Sequence, residues 1–229
     1  MNRNNLTNSS NSLGKLNSRK LERSNIMKGR IAPTLLLGLL LTLTNFAMAQ
    51  KSFTDNFEIK PFWTIVDHAG IGSVILDNTF AHSGIESVQV ETDSYGGVEA
   101  LSHSFPAPLY GNVSVWVYYS NVMSTGYKQL DIFDGPAYSG SDYNLYIDWG
   151  DLQTYVKDSN NATTLLAPPL STGWHNWTFS SVPGTVKIKI DGVKVLGQSV
   201  DFAFETVNLQ QCCLAGSAFF DDFKFNPAN

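Results

Sequence analysis

Residues 172–195, TGWHNWTFSSVPGTVKIKIDGVKV, decide the fold of this chain. In the first half Trp177 and Phe179 alternate with polar residues, and in the second half the apolar positions from Val186 to Ile190 alternate with lysines. This period of two is the pattern of half-buried antiparallel strands. A Pro-Gly and an Asp-Gly dipeptide separate and close the two series, and both are typical of tight turns. The stretch therefore predicts a hairpin that runs into a further turn.

The same alternation recurs along the chain after residue 52, and no segment shows a sustained helical period. Clusters of Gly, Pro, Asn and Asp separate the segments, as turns require. Many short strands with this punctuation predict an all-β sandwich or barrel. The candidate strands are Phe53–Ile59, Ser73–Leu76, Glu86–Glu91, Val98–Phe105, Asn112–Tyr119, Gln129–Phe133, Tyr143–Asp148, Leu152–Lys157, His175–Ser180, Thr185–Ile190 and Ala218–Phe225.

Three groups of motifs carry a resemblance to a known fold. Gly173–His175, followed by a hydrophobic strand and then by Ile188–Gly192, resembles the concanavalin-like jelly rolls and especially the laminin-G-like domains. Asp55–Glu58, Ser83–Ser87 and Asp221–Phe223 are similar to the opening, turn and closing motifs of jelly-roll carbohydrate-binding modules. The resemblance implies a two-sheet antiparallel β-sandwich, and this fold mostly serves glycan recognition or adhesion.

The N-terminal part of the chain predicts export. Residues 31–46 are an apolar run that is preceded by basic residues and followed by Ala47-Met48-Ala49, the pattern of a secretory signal with its cleavage site. We expect residues 1–49 to be removed and residues 50–229 to form one secreted or surface-exposed domain. The run is short for a membrane span, although an N-terminal membrane anchor is the alternative. Translation starts at Met1 or at Met27, where a signal peptide should begin.

The charge of the expected mature domain excludes some partners. Residues 1–49 carry seven of the 15 Lys and Arg and one of the 20 Asp and Glu, so residues 50–229 hold eight Lys, no Arg and a formal charge of −11. An acidic surface repels nucleic acids and anionic membranes. Without guanidinium groups the domain also cannot form the bidentate hydrogen bonds by which arginine binds sulfate or carboxylate groups. Neutral glycans are therefore the favoured ligands.

The only cysteines are adjacent, Cys212 and Cys213. In an exported protein they could form a vicinal disulfide, pair between chains in a self-associated form, or remain buried thiols. Adjacent cysteines do not have the spacing of a zinc site.

The terminal motifs suggest a structural calcium ion. Asp221 lies in a strand with Phe219, Phe223 and Phe225, which alternation puts on one face, and a carboxylate among aromatic rings needs a partner. Related modules hold calcium where the first and last strands meet. By that resemblance the ligands here would be Glu58, Ser83, Gly84 and Asp221, which offer the hard oxygen atoms that calcium prefers. Alternatively, Asp221 accepts hydrogen bonds from turn amides or lies in water.

The segment Gln129–Asp134 is similar to the Glu-x-Asp-x-x-Glu strand of laminarinase-like glycoside hydrolases. In those enzymes the first Glu is the nucleophile and the last is the general acid, about 5 Å apart. Here Gln129 stands at the nucleophile position, and an amide cannot form a glycosyl intermediate. Asp134 stands at the acid position. We therefore expect no hydrolysis at such a site. Descent from an enzyme and a coincidental likeness of a buried strand to the motif are the two alternatives.

Strand parity predicts a ligand-binding face. In the candidate strands Asn112–Tyr119, Gln129–Phe133 and Tyr143–Asp148, one face is aliphatic and the other carries aromatic, amide and carboxylate side chains. Neutral sugars bind surfaces of the second kind. The alternative is that these aromatic rings pack in the core. The predicted binding residues are Trp116, Tyr118, Gln129, Asp131, Phe133, Tyr146 and Asp148.

We therefore expect a secreted, non-catalytic, lectin-like domain that binds a neutral glycan. A structural or adhesive surface protein is the alternative. A third hypothesis is a polysaccharide-cleaving enzyme that uses Asp131, Asp134 and Asp148.

Overall fold

A computed structural model of the chain describes residues 51–59, 62–69, 72–93, 95–120, 126–148, 151–167 and 170–228. They all belong to one compact unit, Ala49–Asn229. The predicted leader, residues 1–49, lies outside the described residues, as does the dipeptide Pro168-Pro169. No helix in the described ranges has the length and hydropathy of a membrane span.

The described residues form fifteen strands in two antiparallel sheets, as the sequence predicts. The strands of sheet A are β1 (Phe53–Asp55), β3 (Gly72–Asp77), β4 (Ser87–Thr92), β6 (Gly111–Tyr119), β11 (Gly173–Val182), β12 (Thr185–Ile190), β13 (Val193–Gln198) and β15 (Gly216–Pro227). The strands of sheet B are β2 (Thr64–Ala69), β5 (Val98–Leu109), β7 (Tyr127–Phe133), β8 (Asp142–Ile147), β9 (Thr154–Lys157), β10 (Thr163–Ala167) and β14 (Phe204–Cys212).

The strand order shows a crossover topology. Sheet A runs β13-β12-β11-β6-β15-β4-β3, with β1 paired to the second half of β15, and sheet B runs β10-β9-β8-β7-β14-β5-β2. The hydrophobic core lies between the two sheets, and the central strands contribute alternate side chains to it. On β6, for example, Val113, Val115 and Val117 are fully buried, whereas Trp116 and Tyr118 face outward and are partly exposed.

The opening stretch folds as predicted. β11 and β12 are joined at Pro183-Gly184, and β12 and β13 at Asp191-Gly192, where φ is +51° and +78°. Two consecutive positive φ angles make the tight hairpin turn that Asp-Gly favours. The Asp191 carboxylate also accepts the N–H of Asn176 and lies 2.7 Å from Nδ1 of the buried His175. His175 and Asn176 of β11 thus hold the turn between β12 and β13 in place.

One feature of β15 corrects the sequence analysis. Alternation predicts that Asp221 shares a face with Phe219, Phe223 and Phe225. The register of β15 against β6 instead shifts between Asp221 and Lys224, and Asp222 has φ +47°. A bulge inserts one residue and reverses the parity. Phe219 therefore packs outside sheet A, while Phe223 and Phe225 are buried in the core.

Candidate functional site

A groove crosses the outer face of sheet B. It encloses a cavity of about 330 Å³. Its floor is made of the outward side chains of β5, β7, β8, β9 and β14, and its wall is the loop between β7 and β8. The residues that line this groove are Val98, Gln129, Asp131, Phe133, Tyr138, Gly140, Asp142, Asn144, Lys157, Gln210 and Cys212.

Strand β7 supplies the middle of the floor. Leu130 and Ile132 are fully buried in the core, as predicted, and Gln129, Asp131 and Phe133 point the other way into the groove. These three are also largely covered, although they lie on the outer face of a sheet. Something on that face must therefore shield them from solvent.

The loop between β7 and β8 provides this cover. The hydroxyl of Tyr138 donates a 3.0 Å hydrogen bond to Oε1 of Gln210, and its ring lies 5.7 Å from the ring of Phe133. The Asp134 carboxylate fixes the loop by accepting the N–H of Ser141 at 2.7 Å. The groove is thus narrowed from one side by a tyrosine.

A row of polar side chains runs across the floor, perpendicular to the strands. Asn208 of β14 pairs in register with Asp131 of β7, which pairs with Asn144 of β8. Oδ1 of Asp131, Oδ1 of Asn144 and both amide atoms of Asn208 are buried, yet none makes a hydrogen bond of good geometry within the described residues. We call Asn208, Asp131 and Asn144 the polar row. An unmet buried polar group costs about 1 to 3 kcal/mol, so three neighbours in one row are unusual.

The polar row carries little net charge. Burial, and then the nearby charge of Asp142, raise the pKa of Asp131 well above its usual value, with Lys157 acting in the opposite direction. The ammonium of Lys157 lies 3.1 Å from Asp142 and is therefore paired. Burial and the neighbouring Asp131 carboxyl also raise the pKa of Tyr138, while the nearby Asn208 amide partly offsets this. The groove thus favours the uncharged forms of Asp131 and Tyr138, which can donate as well as accept hydrogen bonds.

Three tyrosines extend this surface beyond the groove. The rings of Tyr146 and Tyr155 are stacked, with centroids 5.6 Å apart and planes inclined by 22°. Tyr127 meets the Tyr146 ring edge-on at 5.5 Å. Tyr146 is partly exposed on the outer face of β8, as strand parity predicts. We call Tyr127, Tyr146 and Tyr155 the tyrosine platform.

The two cysteines close the other side of the groove. Cys212 and Cys213 form a vicinal disulfide, so of the three alternatives left open by the sequence this is the one observed. Cys212 lines the groove. Cys213 exchanges two backbone hydrogen bonds, of 3.0 and 2.7 Å, with Gly96 and Gly97 in the turn before β5. The disulfide thus lies at a junction between β14 and this turn.

The predicted binding residues divide between the two sheets. Gln129, Asp131 and Phe133 line the groove, and Tyr146 belongs to the tyrosine platform beside it. Asp148 follows β8 in the turn to β9, where its backbone exchanges hydrogen bonds with Gln153 and Leu152.

Trp116 and Tyr118 require a correction, because they do not share this face. Both lie on β6 of sheet A and point away from the core on the opposite side of the sandwich. Alternation gives the parity of a strand but not the sheet to which the strand belongs.

Several groove residues were missed by the sequence analysis. Asn208 and Gln210 lie on β14, which has no candidate strand in the prediction. Tyr138 lies in a loop that was interpreted only as a turn region. Asn144, by contrast, alternates with the predicted core positions of β8, so the parity argument could have found it.

The residues that resemble a hydrolase motif do not form a carboxylate pair. Oε1 of Gln129 accepts a hydrogen bond from the amide of Gln210 across the groove floor. Asp134 lies at the end of β7 and is bonded to the loop amide of Ser141. The two positions therefore hold a structural amide and a loop-fixing carboxylate.

The predicted calcium ligands do converge. Oε1 of Glu58 accepts the N–H of Ile85 at 2.8 Å. Oδ2 of Asp221 accepts the N–H groups of His82 and Ser83 at 2.8 and 3.1 Å. Both carboxylates thus hold the turn that contains Ser83 and Gly84.

These contacts match the alternative in which turn amides satisfy the carboxylates. Burial raises the pKa of Asp221, and the amide N–H groups of Ser83, His82 and Asp222 work against this. An amide N–H points its positive end at the oxygen atom that a cation would need. Within the described residues no group of three or more Asp, Glu, His or Cys side chains could hold a metal ion. Calcium at this turn stays a prediction.

Comparison with known proteins identifies the fold. No protein-family model matches the chain, and no curated protein matches it in sequence. Among solved structures it is similar to the cellulose induced protein Cip1, with a TM-score of 0.57 and 20% identity over 77% of this chain and 97% of that one.

Two further structures show the same similarity. The apo Crh5 transglycosylase matches with a TM-score of 0.59 and 14% identity over 79% and 86% of the two chains. The Bacillus licheniformis β-glucanase matches with a TM-score of 0.55 and 12% identity over 79% and 100%. At these identities the likeness concerns the fold alone, and it confirms the predicted concanavalin-like jelly roll.

Proposed function

We propose that this protein is a secreted, non-catalytic domain that binds a neutral glycan in the groove of sheet B. The observation that carries the proposal is the polar row. Asn208, Asp131 and Asn144 present buried donor and acceptor atoms that make no hydrogen bond of good geometry within the described residues. Sugar hydroxyl groups both donate and accept hydrogen bonds, so a bound glycan would satisfy these atoms and recover the cost of burying them.

The surroundings of the polar row suit a sugar. Carbohydrate rings have apolar C–H faces that stack on aromatic rings, while their hydroxyls reach amides and carboxyls. The groove offers Phe133 and Tyr138 beside the polar row, and the tyrosine platform continues along the same sheet face. A glycan chain lying along the strands would pass from the tyrosine platform over the polar row to Phe133.

Charge supports a neutral ligand. An anionic sugar would have to enter beside the Asp142 carboxylate, and the nearby cation, Lys157, is already paired with it at 3.1 Å. The expected mature domain also has a formal charge of −11 without any Arg. Uronate-rich or sulfated glycans are therefore disfavoured by both the local and the overall field.

The lack of catalysis is inferred from the residues at the hydrolase-like positions. Gln129 cannot act as a nucleophile, and Asp134 is engaged with a loop amide. The similar structures include, by their names, a β-glucanase and a transglycosylase, so this fold serves glycan chemistry in other proteins. We infer that this chain keeps the recognition surface without the reaction.

Secretion is the remaining part of the proposal. It rests on the apolar run of residues 31–46 and on the Ala47-Met48-Ala49 motif. Mass spectrometry of the protein collected outside the cell should give Gln50, free or cyclised, as the first residue. Recovery of an uncleaved chain in the membrane fraction would show an anchor instead.

Two assays test the function. A glycan array probed with the domain should give binding to neutral glycans, and calorimetry on the best one should show that Asp131→Ala, which removes the carboxyl group, weakens binding. A reducing-end assay on the same glycan should show no new chain ends over the buffer control. A flat array would contradict the binding role, and new ends would identify an enzyme.

A further inference from the structure

A second hollow lies on the outer face of sheet A, on the side of the sandwich opposite to the groove. It has a volume of about 710 Å³. Its floor includes Ser114 and Trp116 of β6 and Asn176 of β11, and its rim includes Asn56 and Lys224. None of these residues belongs to the groove of sheet B.

The bulge in β15 creates this hollow. β4 pairs with β15 up to Phe220, and β1 pairs with it again from Phe223, so Asp221 and Asp222 have no strand partner on that edge. Asp222 has φ +47°, a backbone conformation that is unfavourable for a residue other than glycine. Its carboxylate lies 2.7 Å from Nδ1 of His82. Strained bulges of this kind are frequent beside binding sites.

One aromatic side chain forms the apolar part of the hollow. The ring of His82 stacks on Trp116 with centroids 3.7 Å apart and planes inclined by 16°. The imidazole therefore fixes the indole and covers one of its faces, and Trp116 remains partly exposed where it lines the hollow. A fixed ring stacks on a ligand at low entropic cost.

The polar part of the hollow combines uncharged and charged groups. Ser114, Asn56 and Asn176 carry uncharged donors and acceptors, and the charges of Asp222 and Lys224 are opposite. The Asp55 carboxylate also lines the hollow, but it is buried and accepts the N–H groups of Phe57 and of the Trp63 indole. A tryptophan ring beside amides and a hydroxyl is the same chemistry as that of the groove. It fits the C–H face and the hydroxyls of a neutral sugar.

We propose that this hollow is a second glycan-binding site, so that one domain holds two glycan chains on its opposite faces. The cross-linking role rests on the proposed function of the groove, whereas binding at Trp116 does not. A monomer with two sites connects chains in a network and gains affinity for polymers through avidity. This would give the domain a structural role in a glycan matrix through sugar contacts.

The test uses three sets of variants of the mature domain. Asp131→Ala with Tyr146→Ala impairs the groove. Trp116→Ala impairs the hollow. The double variant Asn56→Ala with Lys224→Ala also impairs it, and because both residues are exposed, their loss leaves the core intact. Tyr95→Ala is the control, because this ring is 89% exposed and lies outside both sites. Circular dichroism establishes that each variant is folded, and ultracentrifugation establishes that it is monomeric.

The probes are soluble mixed-linkage β-glucan, laminarin, xylan and galactomannan. Affinity electrophoresis measures binding, and turbidity measures cross-linking. On at least one probe the unchanged domain and the Tyr95→Ala control should be retarded and should produce turbidity. The variants of either face should still be retarded, with roughly tenfold or greater loss of apparent affinity and no turbidity.

Other outcomes separate the two proposals. If the hollow variants bind and cross-link as the unchanged domain does, the second site is wrong and the groove proposal stands. If the groove variant keeps all binding and only the hollow variants lose it, the hollow is a site and the groove proposal is wrong. If no probe retards the unchanged domain, both are wrong.

Discussion

The carboxylate of Glu58 occupies the space into which a side chain at Gly84 would extend. A Cβ atom added to Gly84 would overlap Oε1 of Glu58, and Gly84 itself has φ +64°. The same oxygen accepts the N–H of Ile85 at 2.8 Å. The turn before β4 and the segment after β1 are therefore closely fitted to each other.

Gly84→Ala should destabilise the domain. The substitution adds the cost of a positive φ, about 1 kcal/mol, and also displaces the Glu58 carboxylate from its amide donors. We expect a loss of roughly 2 to 4 kcal/mol in the free energy of unfolding by urea titration. Gly96→Ala is the matched control, because Gly96 has φ +81° and no atom within 4 Å of the added Cβ. Equal losses in the two variants would contradict the proposed contact.

Calcium binding near Glu58 and Asp221 is tested by chelation. If an ion is held there, EDTA should lower the melting temperature and added calcium should restore it by mass action. Asp221→Asn should abolish this response. Asp201→Asn should keep it, because Asp201 is a carboxylate that also accepts a backbone N–H, from Gly184. Melting curves that coincide with and without EDTA would show that turn amides alone satisfy Asp221.

Tyr146→Ala separates binding from stability. The ring lies outside the core, stacked on Tyr155, so its removal should change the melting temperature by only a few degrees. Loss of a stacking ring should weaken binding of the array hit about tenfold, measured by calorimetry. Tyr95→Ala, which removes a ring that is 89% exposed, should leave the affinity unchanged. Unchanged affinity in Tyr146→Ala would exclude the tyrosine platform from the binding site.

Glu99 should make stability depend on pH. Burial and the neighbouring charge of Asp67 raise the pKa of Glu99 to about 7 from 4.5. Between these values the folded protein keeps a proton that the unfolded chain has lost. This contribution to stability is complete below about pH 4.5 and is lost as the pH rises through 7.

Glu99→Gln should remove this dependence. From pH 5 to pH 8 its free energy of unfolding should fall less than that of the unchanged domain, by on the order of 1 to 3 kcal/mol. Denaturant titrations at both pH values measure this difference. Glu205→Gln, which removes a partly exposed carboxyl of β14, should show no such effect. Parallel pH profiles for Glu99→Gln and the unchanged domain would refute the assignment.

The alternation of apolar and polar residues predicted most of the fold. It succeeded where one strand face is aliphatic, as in β6 and β7, and it located Gln129, Asp131 and Tyr146 on an outer face. It failed for β14, whose outward residues Asn208 and Gln210 are buried under the loop that carries Tyr138. In β14 only Val207 and Leu209 alternate with polar residues, because the register shift between Phe204 and Thr206 interrupts the period before them. So short an alternation is a weak signal of a strand.

Other features depend on contacts between distant segments. β2, β10 and β13 are edge or near-edge strands with few core residues, and they gave no clear pattern. Nothing local to Trp116 indicates that its strand joins sheet A rather than sheet B. The bulge at Asp222 also could not be predicted from local sequence. The Asp222 carboxylate is held by His82, which is 140 positions away in the chain.

The order of the strands also governs when the protein can fold. β15 joins β6 to β4 in sheet A, and β14 joins β7 to β5 in sheet B. These are the last two strands to leave the ribosome, and until they arrive each sheet consists of two separate halves. Folding of the domain must therefore wait until both strands are present, and the many long-range pairings should make it slow. A chain cut before residue 204 would lack the centre of both sheets and should fail to fold at all.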